Sequence, residues 1–119
     1  MMWVVRLHDD FKREFDQLNE SVQDAILAGG VLLQEFGPRL GRPHVDSLAG
    51  SRYPNMKELR LTVASGEWRV AFAFDPKRAA ILLVGGSKSG RNSDLFCRTL
   101  VPVADRRYAS HLFSLDAKQ

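Results

Sequence analysis

The segment KELRLTVASGEWRVAF, residues 57–72, constrains the fold more than any other part of the chain. Apolar and polar residues alternate on both sides of Ser65-Gly66, which is the pattern of two half-buried strands joined by a tight turn. We therefore predict an antiparallel hairpin with strands at about 56–64 and 67–75.

Two further strands are predicted from short apolar runs. The run Trp3–Leu7 is rich in valine and is expected to form the first strand. The run AAILLVGG, at about 79–86, is apolar on both faces, so we expect it to pair with the hairpin as the central strand.

Two helices are predicted between the first strand and the hairpin. Apolar residues recur there at three- and four-residue spacing over about 10–19 and 21–36. Ser21 and Asp24 resemble a capping box at the start of the second helix.

A last helix is predicted from Ser93 or Asp94 to about Leu112, with a kink or a late start at Pro102. The predicted fold class is therefore α+β: an N-terminal strand, two helices, three antiparallel strands of a small curved sheet, and a C-terminal helix. We expect the helices to pack on one face of the sheet and to leave the other face free.

Three charged side chains share one face of the predicted hairpin. Because strand side chains alternate, Glu58, Arg60 and Arg69 project away from the apolar set that includes Leu59 and Val70. Small alanines beside Arg69 are expected to leave an open concavity. Guanidinium groups offer a planar fork of donors that matches phosphate oxygens, so the cluster predicts a phosphodiester site. The alternative is a solvated ion pair between Arg60 and Glu58.

Charge is unevenly distributed along the chain. Residues 1–36 carry three Lys and Arg against seven Asp and Glu, whereas residues 37–119 carry fourteen against seven. A basic part beside an acidic part indicates an anionic partner such as nucleic acid.

Further basic residues lie close in sequence to the predicted face. His44 and Arg52 belong to the long connection 37–55, and long connections in small domains are often functional. Lys88 and Arg91 follow the third strand of the sheet and are expected to reach its rim.

Length and composition limit the class of protein. A chain of 119 residues is expected to fold as a single domain, 1–119. No apolar run approaches the roughly 18 to 20 residues that span a bilayer, and no secretory signal is evident, so a cytoplasmic location is predicted. Cys97 is the only cysteine, which excludes an intramolecular disulfide and a four-cysteine metal site. We predict no metal and no cofactor.

The order of three segments resembles a known family. LAGSRYPNMKELRLTV, EWRVAFAFDPKRAAILLVGGSKSG and the closing FCRTLVPVADRRYASHL are similar to the RelE/ParE toxin superfamily, specifically its phage-derived HigB-like branch from bacterial type II toxin–antitoxin modules. The resemblance extends over nearly the whole chain. It implies a metal-independent ribonuclease that cuts mRNA in the ribosomal A site through attack of the ribose 2′-hydroxyl on the adjacent phosphate. It also implies three partners: the ribosome, mRNA and a cognate antitoxin.

The resemblance implies roles for individual residues. Arg69, in WRVAF, matches the family's phosphate-stabilising arginine, and Arg60 and Lys88 match recurrent basic positions. Glu58 is either a general base or a partner of Arg60. The positions proposed to bind RNA are the following basic residues: Lys57, Arg52, His44 and Arg91.

The sequence departs from the family at the start of the last helix. Phe96-Cys97 stands where many relatives have a tyrosine, so the resemblance leaves open whether His44 or Tyr108 supplies acid–base chemistry. Two other functions remain open. One is a ParE-like inhibitor of a protein target such as gyrase, and the other is an RNA-binding module that catalyses nothing.

Overall fold

The computed structural model describes residues 2–88 and 93–117, and only the backbone of 93–96. The elements follow the predicted order, with one additional short strand. They are β1 Val4–Leu7, α1 Asp9–Phe15, α2 Glu20–Phe36, a 3₁₀ turn Gly37–Arg39, β2 Val45–Ser47, β3 Lys57–Val63, β4 Gly66–Phe74, β5 Ala79–Ser87 and α3 Ser93–Ala117.

One five-stranded sheet with the strand order β1-β5-β4-β3-β2 forms the middle layer. Strand β1 pairs in parallel with β5, and the other neighbours are antiparallel. The hairpin and third strand predicted from sequence are confirmed, but the turn lies at Ala64-Ser65 and not at Ser65-Gly66, because Gly66 pairs with Val63. The central strand is β4 and not the expected AAILLVGG strand, because β1 and β2 extend the sheet on both sides.

The helices before the hairpin are confirmed with shifted ends. Helix α1 ends at Phe15, and α2 begins at Glu20. The Asn19 side chain caps α2 by accepting a hydrogen bond from the backbone N–H of Val22 at 3.0 Å, so the expected capping box at Ser21 does not form. Ser21 instead donates its hydroxyl to the Asn19 side chain at 2.8 Å.

Apolar side chains form one core on each face of the sheet. On one face, residues of α1 and α2 such as Phe11 and Ile26 pack against Leu59, Val70 and Phe72. The core on the other face consists of apolar residues of α3 together with sheet and loop residues, among them Leu100, Val101, Ala104, Tyr108, Ala71, Ala73, Ile81 and Leu83.

The expectation that all helices cover one face is therefore wrong. Helix α3 packs on the second face because Ala71 and Ala73, which have small side chains, let a helix approach closely. The alanines that were expected to leave a concavity beside Arg69 are buried beneath α3. On this face the side chain of Arg60, in the middle of β3, stays 35% exposed.

Helix α3 continues through Pro102 without ending there. Its contact with the rest of the molecule includes Arg107, which donates to both carboxylate oxygens of Glu14 on α1, at 2.8 and 2.6 Å. Arg107 also donates to the carbonyl oxygen of Leu83 on β5, at 2.8 Å. This arginine ties the last helix to α1 and to the sheet. Within the described ranges, no helix has the length and apolar character needed to cross a membrane.

Candidate phosphate-binding site

The register of the sheet brings the two predicted arginines together. Arg60 on β3 is the direct partner of Arg69 on β4, and Gly86 on β5 is the next partner in the same row. Partners in a ladder project from the same face, so both guanidinium groups leave the sheet side by side. Gly86 has no side chain to compete for this space.

Glu58 lies two residues before Arg60 and bridges the two guanidinium groups. Arg60 Nε donates to Glu58 Oε2 at 2.9 Å, and Arg69 Nε lies 3.4 Å from the same oxygen. The hydrogen bond that Arg60 donates to Glu58 is the main reason why the pKa of Arg60 is raised above its usual value. Glu58 therefore forms the expected ion pair with Arg60, and it contacts Arg69 as well.

Arg69 is buried but poorly bonded. Its side chain is only 8% exposed. Its terminal nitrogens make long contacts, 3.3 Å to the carbonyl of Trp68 and 3.5 Å to the carboxylate of Glu67. Among the described residues, Arg69 Nε has no hydrogen-bond partner, since its 3.4 Å contact with Glu58 is an ion pair without a hydrogen bond. A buried cation with an unused donor provides strong attraction for an anionic ligand.

Asp46 on β2 completes the cluster and was missed from sequence. It is the ladder partner of Glu58. Asp46 Oδ2 accepts from Arg60 Nη2 at 3.1 Å and from Arg42 Nε at 3.0 Å, while Oδ1 accepts from the backbone N–H of Ser47 at 2.8 Å. The Ser47 hydrogen bond, reinforced by Arg42, lowers the pKa of Asp46. A three-residue strand inside a long connection gives no sequence pattern that would have placed this carboxylate.

Two of the other predicted residues lie near the cluster. The carbonyl oxygen of His44 accepts from the backbone N–H of Arg60 at 2.8 Å, and the His44 side chain is exposed. Lys88 follows β5, and its backbone N–H donates to the carbonyl of Glu67 at 2.8 Å. The backbones of both residues are therefore hydrogen-bonded to the two strands that carry the arginine pair.

Other predicted residues lie elsewhere. Lys57 projects from the opposite face, where its Nζ sits 5.7 Å from the centre of the Phe74 ring. Arg52 packs over Tyr53 at 5.2 Å, and its backbone N–H donates to Asp105 on α3 at 3.0 Å. The structure brings neither Lys57 nor Arg52 into contact with the arginine pair. Arg91 lies outside the described residues.

Tyr108, considered for acid–base chemistry, and the Phe96-Cys97 pair all lie on α3. Tyr108 is buried against the sheet, burial raises its pKa, and its hydroxyl donates to the carbonyl of Phe74 at 3.1 Å. This hydroxyl therefore stabilises the core and does not face the arginine pair. Cys97 is half-buried against the same core. The side chain of Phe96 lies outside the described part of the chain.

A cleft of about 480 Å³ lies at the other end of the sheet. Its lining includes His8, Asp75 and His111, and His111 Nε2 is 2.7 Å from Asp75 Oδ2. Neither Arg60 nor Arg69 contributes to it. The arginine cluster is therefore separate from this cleft and lies in the middle row of the β3–β4 hairpin.

Comparison with known proteins points to one family. The family model for phage-derived Gp49-like proteins matches residues 13–109. Two relatives from Mycobacterium tuberculosis H37Rv are named as candidate toxins, HigB3 and HigB2. HigB3 is 43% identical over 111 residues, which are 93% of this chain and 95% of HigB3. HigB2 is 42% identical over 96 residues, which are 80% of this chain. The match spans about half of HigB2, 47% of its length.

The fold has a counterpart among solved structures. The Escherichia coli toxin RelE, in the free state and with two arginines mutated to alanine, superposes with a TM-score of 0.59 and 15% identity. The superposition covers 90% of this chain and 98% of RelE. At this identity the likeness shows a shared fold.

Proposed function

This chain belongs to the phage-derived Gp49-like family, as a HigB-like member of the RelE toxin superfamily, and from that membership we propose its function. It is the toxin of a type II toxin–antitoxin module. It acts as a ribosome-dependent endoribonuclease that cleaves mRNA. Its partners are the ribosome, the message and a cognate antitoxin.

The observation that carries this proposal is the state of Arg69. This guanidinium group is buried beside Arg60, and its Nε has no hydrogen-bond partner in the described part of the chain. A phosphodiester oxygen placed between the two arginines would accept from both, and would replace long contacts by short, charge-assisted hydrogen bonds. A surface that only docks on a protein has no need for such a pair.

The proposed reaction is an internal transfer. The ribose 2′-oxygen attacks the adjacent phosphorus, the bond from phosphorus to the 5′-oxygen breaks, and the products are a 2′,3′-cyclic phosphate and a 5′-hydroxyl. The proton of the 2′-hydroxyl goes to a base, and the leaving 5′-oxygen takes up a proton. Arg69 and Arg60 stabilise the extra negative charge that the phosphate carries in the transition state, which is commonly the largest contribution to catalysis.

Glu58 is the proposed base. In the free protein its carboxylate serves as the common counter-ion of the two arginines. When the phosphate takes that position, Glu58 is released from the guanidinium groups and lies next to the reacting ribose. Its carboxylate then accepts the 2′-hydroxyl proton.

Two residues at the edge have supporting roles in this proposal. His44 is exposed and adjoins Arg60, which makes it the candidate to protonate the leaving oxygen. Lys88, at the end of β5, is the candidate for a further phosphate contact.

Induced expression tests the proposal in cells. Wild-type protein is expected to stop growth and to cut translated mRNA, whereas Arg69→Ala is expected to do neither at equal protein levels. Growth arrest with intact transcripts would refute the ribonuclease. Inhibition of gyrase supercoiling by the purified protein would then identify the non-enzymatic alternative.

A further inference from the structure

Asp46 holds two arginines with a single oxygen. Its Oδ2 accepts from Arg60 at 3.1 Å and from Arg42 at 3.0 Å. The two donor nitrogens are therefore no more than about 6 Å apart. The side chain of Arg42 is 77% exposed, and only its Nε is engaged among the described residues. Its two terminal nitrogens are available for a ligand.

Asp46 is held in place by its strand, whereas Arg42 belongs to the loop before that strand. The Asp46 carboxylate is fixed by β2 and by the N–H of Ser47, which bonds its other oxygen at 2.8 Å. Arg42 lies in the connection before β2, where no strand pairing fixes its backbone. Asp46 thus orients Arg42 and places its guanidinium next to that of Arg60.

We propose that Arg42 and Asp46 form a second anion subsite, which binds the backbone phosphate next to the one held by Arg60 and Arg69. This inference rests on the proposed function and extends it to a second nucleotide. Arg42 contacts the phosphate, and Asp46 is a positioning residue. Consecutive phosphates of a single strand are the anions that recur at such close spacing, and a row of guanidinium groups along the sheet edge matches them.

The simpler reading is a solvated ion pair of little consequence. The two interpretations predict opposite effects of one substitution on the affinity for nucleic acid. Asp46→Asn removes a negative charge beside an anion site, so a purely electrostatic effect strengthens binding of a nucleic acid. If Asp46 positions Arg42, the same substitution weakens binding, because one amide oxygen cannot hold Ser47, Arg42 and Arg60 together.

Binding of a short 2′-deoxy oligonucleotide, measured by fluorescence anisotropy over a range of salt concentrations, tests the proposal. This probe presents the phosphates and has no 2′-hydroxyl, so it cannot be cut by the proposed reaction. We expect Arg42→Ala to bind roughly two- to fivefold more weakly. The slope of log K against log salt is expected to fall in magnitude by about 0.7, the contribution of one contact to a single strand.

Matched variants supply the controls. Arg39→Ala removes the same charge from an exposed position three residues earlier and is expected to keep the wild-type slope. Lys12→Ala removes one positive charge from α1, where Lys12 pairs with Asp16 at 2.6 Å. This variant is expected to bind the oligonucleotide as wild type does. Thermal melts of each variant show whether the fold is retained.

The outcomes separate this inference from the proposed function. Weaker binding by Asp46→Asn, together with a reduced slope for Arg42→Ala alone, supports the subsite. Tighter or unchanged binding by Asp46→Asn, or equal effects of Arg42→Ala and Arg39→Ala, overturns it. If Arg69→Ala binds the oligonucleotide as well as wild type does, the phosphate site itself is refuted. If Arg69→Ala loses binding while Arg42→Ala does not, only the second subsite is wrong.

Discussion

Arg60 and Arg69 face each other as direct partners in the β3–β4 ladder, although like charges at opposite positions repel. The pair persists because the carboxylate of Glu58, only 12% exposed, lies between the two guanidinium groups and approaches both with one oxygen. An internal anion therefore occupies the place that we assign to the phosphate of the substrate.

Glu58→Gln is expected to destabilise the protein by about 1–3 kcal/mol, because two neighbouring guanidinium groups lose their common counter-ion. Inorganic phosphate is expected to restore more stability to this variant than to wild type, since it binds the folded state and replaces the negative charge that the two guanidinium groups have lost. Urea unfolding with and without phosphate measures both effects. The control Glu67→Gln removes a carboxylate that is 59% exposed and 3.5 Å from Arg69, so its effect is expected to be smaller. Equal rescue of Glu58→Gln and wild type by phosphate contradicts the assignment.

Glu14 and Arg107 join α1 to α3, and their contact predicts a pH-dependent contribution to stability. The hydrogen bond from Arg107 holds the pKa of Glu14 below its usual value of 4.5. Because the folded-state pKa is lowered, the contribution is complete above about pH 4.5 and is lost as the pH falls through the lowered pKa. Glu14→Gln is expected to cost about 0.5–1 kcal/mol at neutral pH and nothing in strong acid. Denaturant titrations across this range measure the difference, with exposed Glu35→Gln as the control. A difference that persists unchanged in strong acid would show that charge is not the cause.

His8 caps α1 in its neutral form. Its Nδ1 accepts from the backbone N–H of Asp10 at 3.1 Å, and burial lowers the pKa of His8 below 6.5. A lowered histidine pKa means that the folded state resists protonation, so stability falls as the pH drops below about 6.5. His8→Asn keeps a capping oxygen and does not titrate. We expect it to remove this decline in melting temperature, whereas His44→Asn leaves the decline in place. If the decline survives in His8→Asn, another group causes it.

Gly29 and Gly30 form a matched pair inside α2. A methyl group at Gly29 would lie 2.8 Å from Cδ2 of Leu59, whereas one at Gly30 would meet Val5 at an ordinary 3.7 Å. Both substitutions to alanine gain helix propensity, about 1 kcal/mol. Only Gly29→Ala also overpacks the core, which commonly costs about 1–3 kcal/mol. We therefore expect Gly30→Ala to melt at a higher temperature than wild type and Gly29→Ala at a lower one than Gly30→Ala. Equal melting temperatures would mean that α2 shifts freely over β3.

The hairpin was predictable because its signal is local. Alternation over residues 57–72 fixes which side chains share a face. The turn itself lies at Ala64-Ser65, one residue earlier than predicted, because Val63 pairs with Gly66. The observed turn makes Arg60 the partner of Arg69, whereas the predicted turn would have placed Arg60 opposite Ala71. The grouping of Glu58 with the two arginines followed from sequence for the same reason.

Two features were not predictable from sequence because they depend on contacts with other elements of the fold. Strand β2 has three residues and forms only because β3 offers an open edge, so Asp46 was not expected near Arg60. The face that α3 covers depends on where small residues allow close packing. From sequence, Ala71 and Ala73 could either leave an open concavity or let a helix pack closely against the sheet. The second arrangement forms because the apolar residues of α3 pack against them.

The most direct test of the central claim is a single-turnover cleavage assay with purified protein and mRNA on programmed ribosomes. We compare wild type with Arg69→Ala, and with Arg69→Lys as a variant that keeps the charge but loses the planar fork. Circular dichroism establishes that each variant is folded. The account predicts that Arg69→Ala cleaves at least about 100-fold more slowly, and that Arg69→Lys recovers only part of the rate. Folded Arg69→Ala that cleaves at the wild-type rate, or wild type that leaves the message intact, would contradict it.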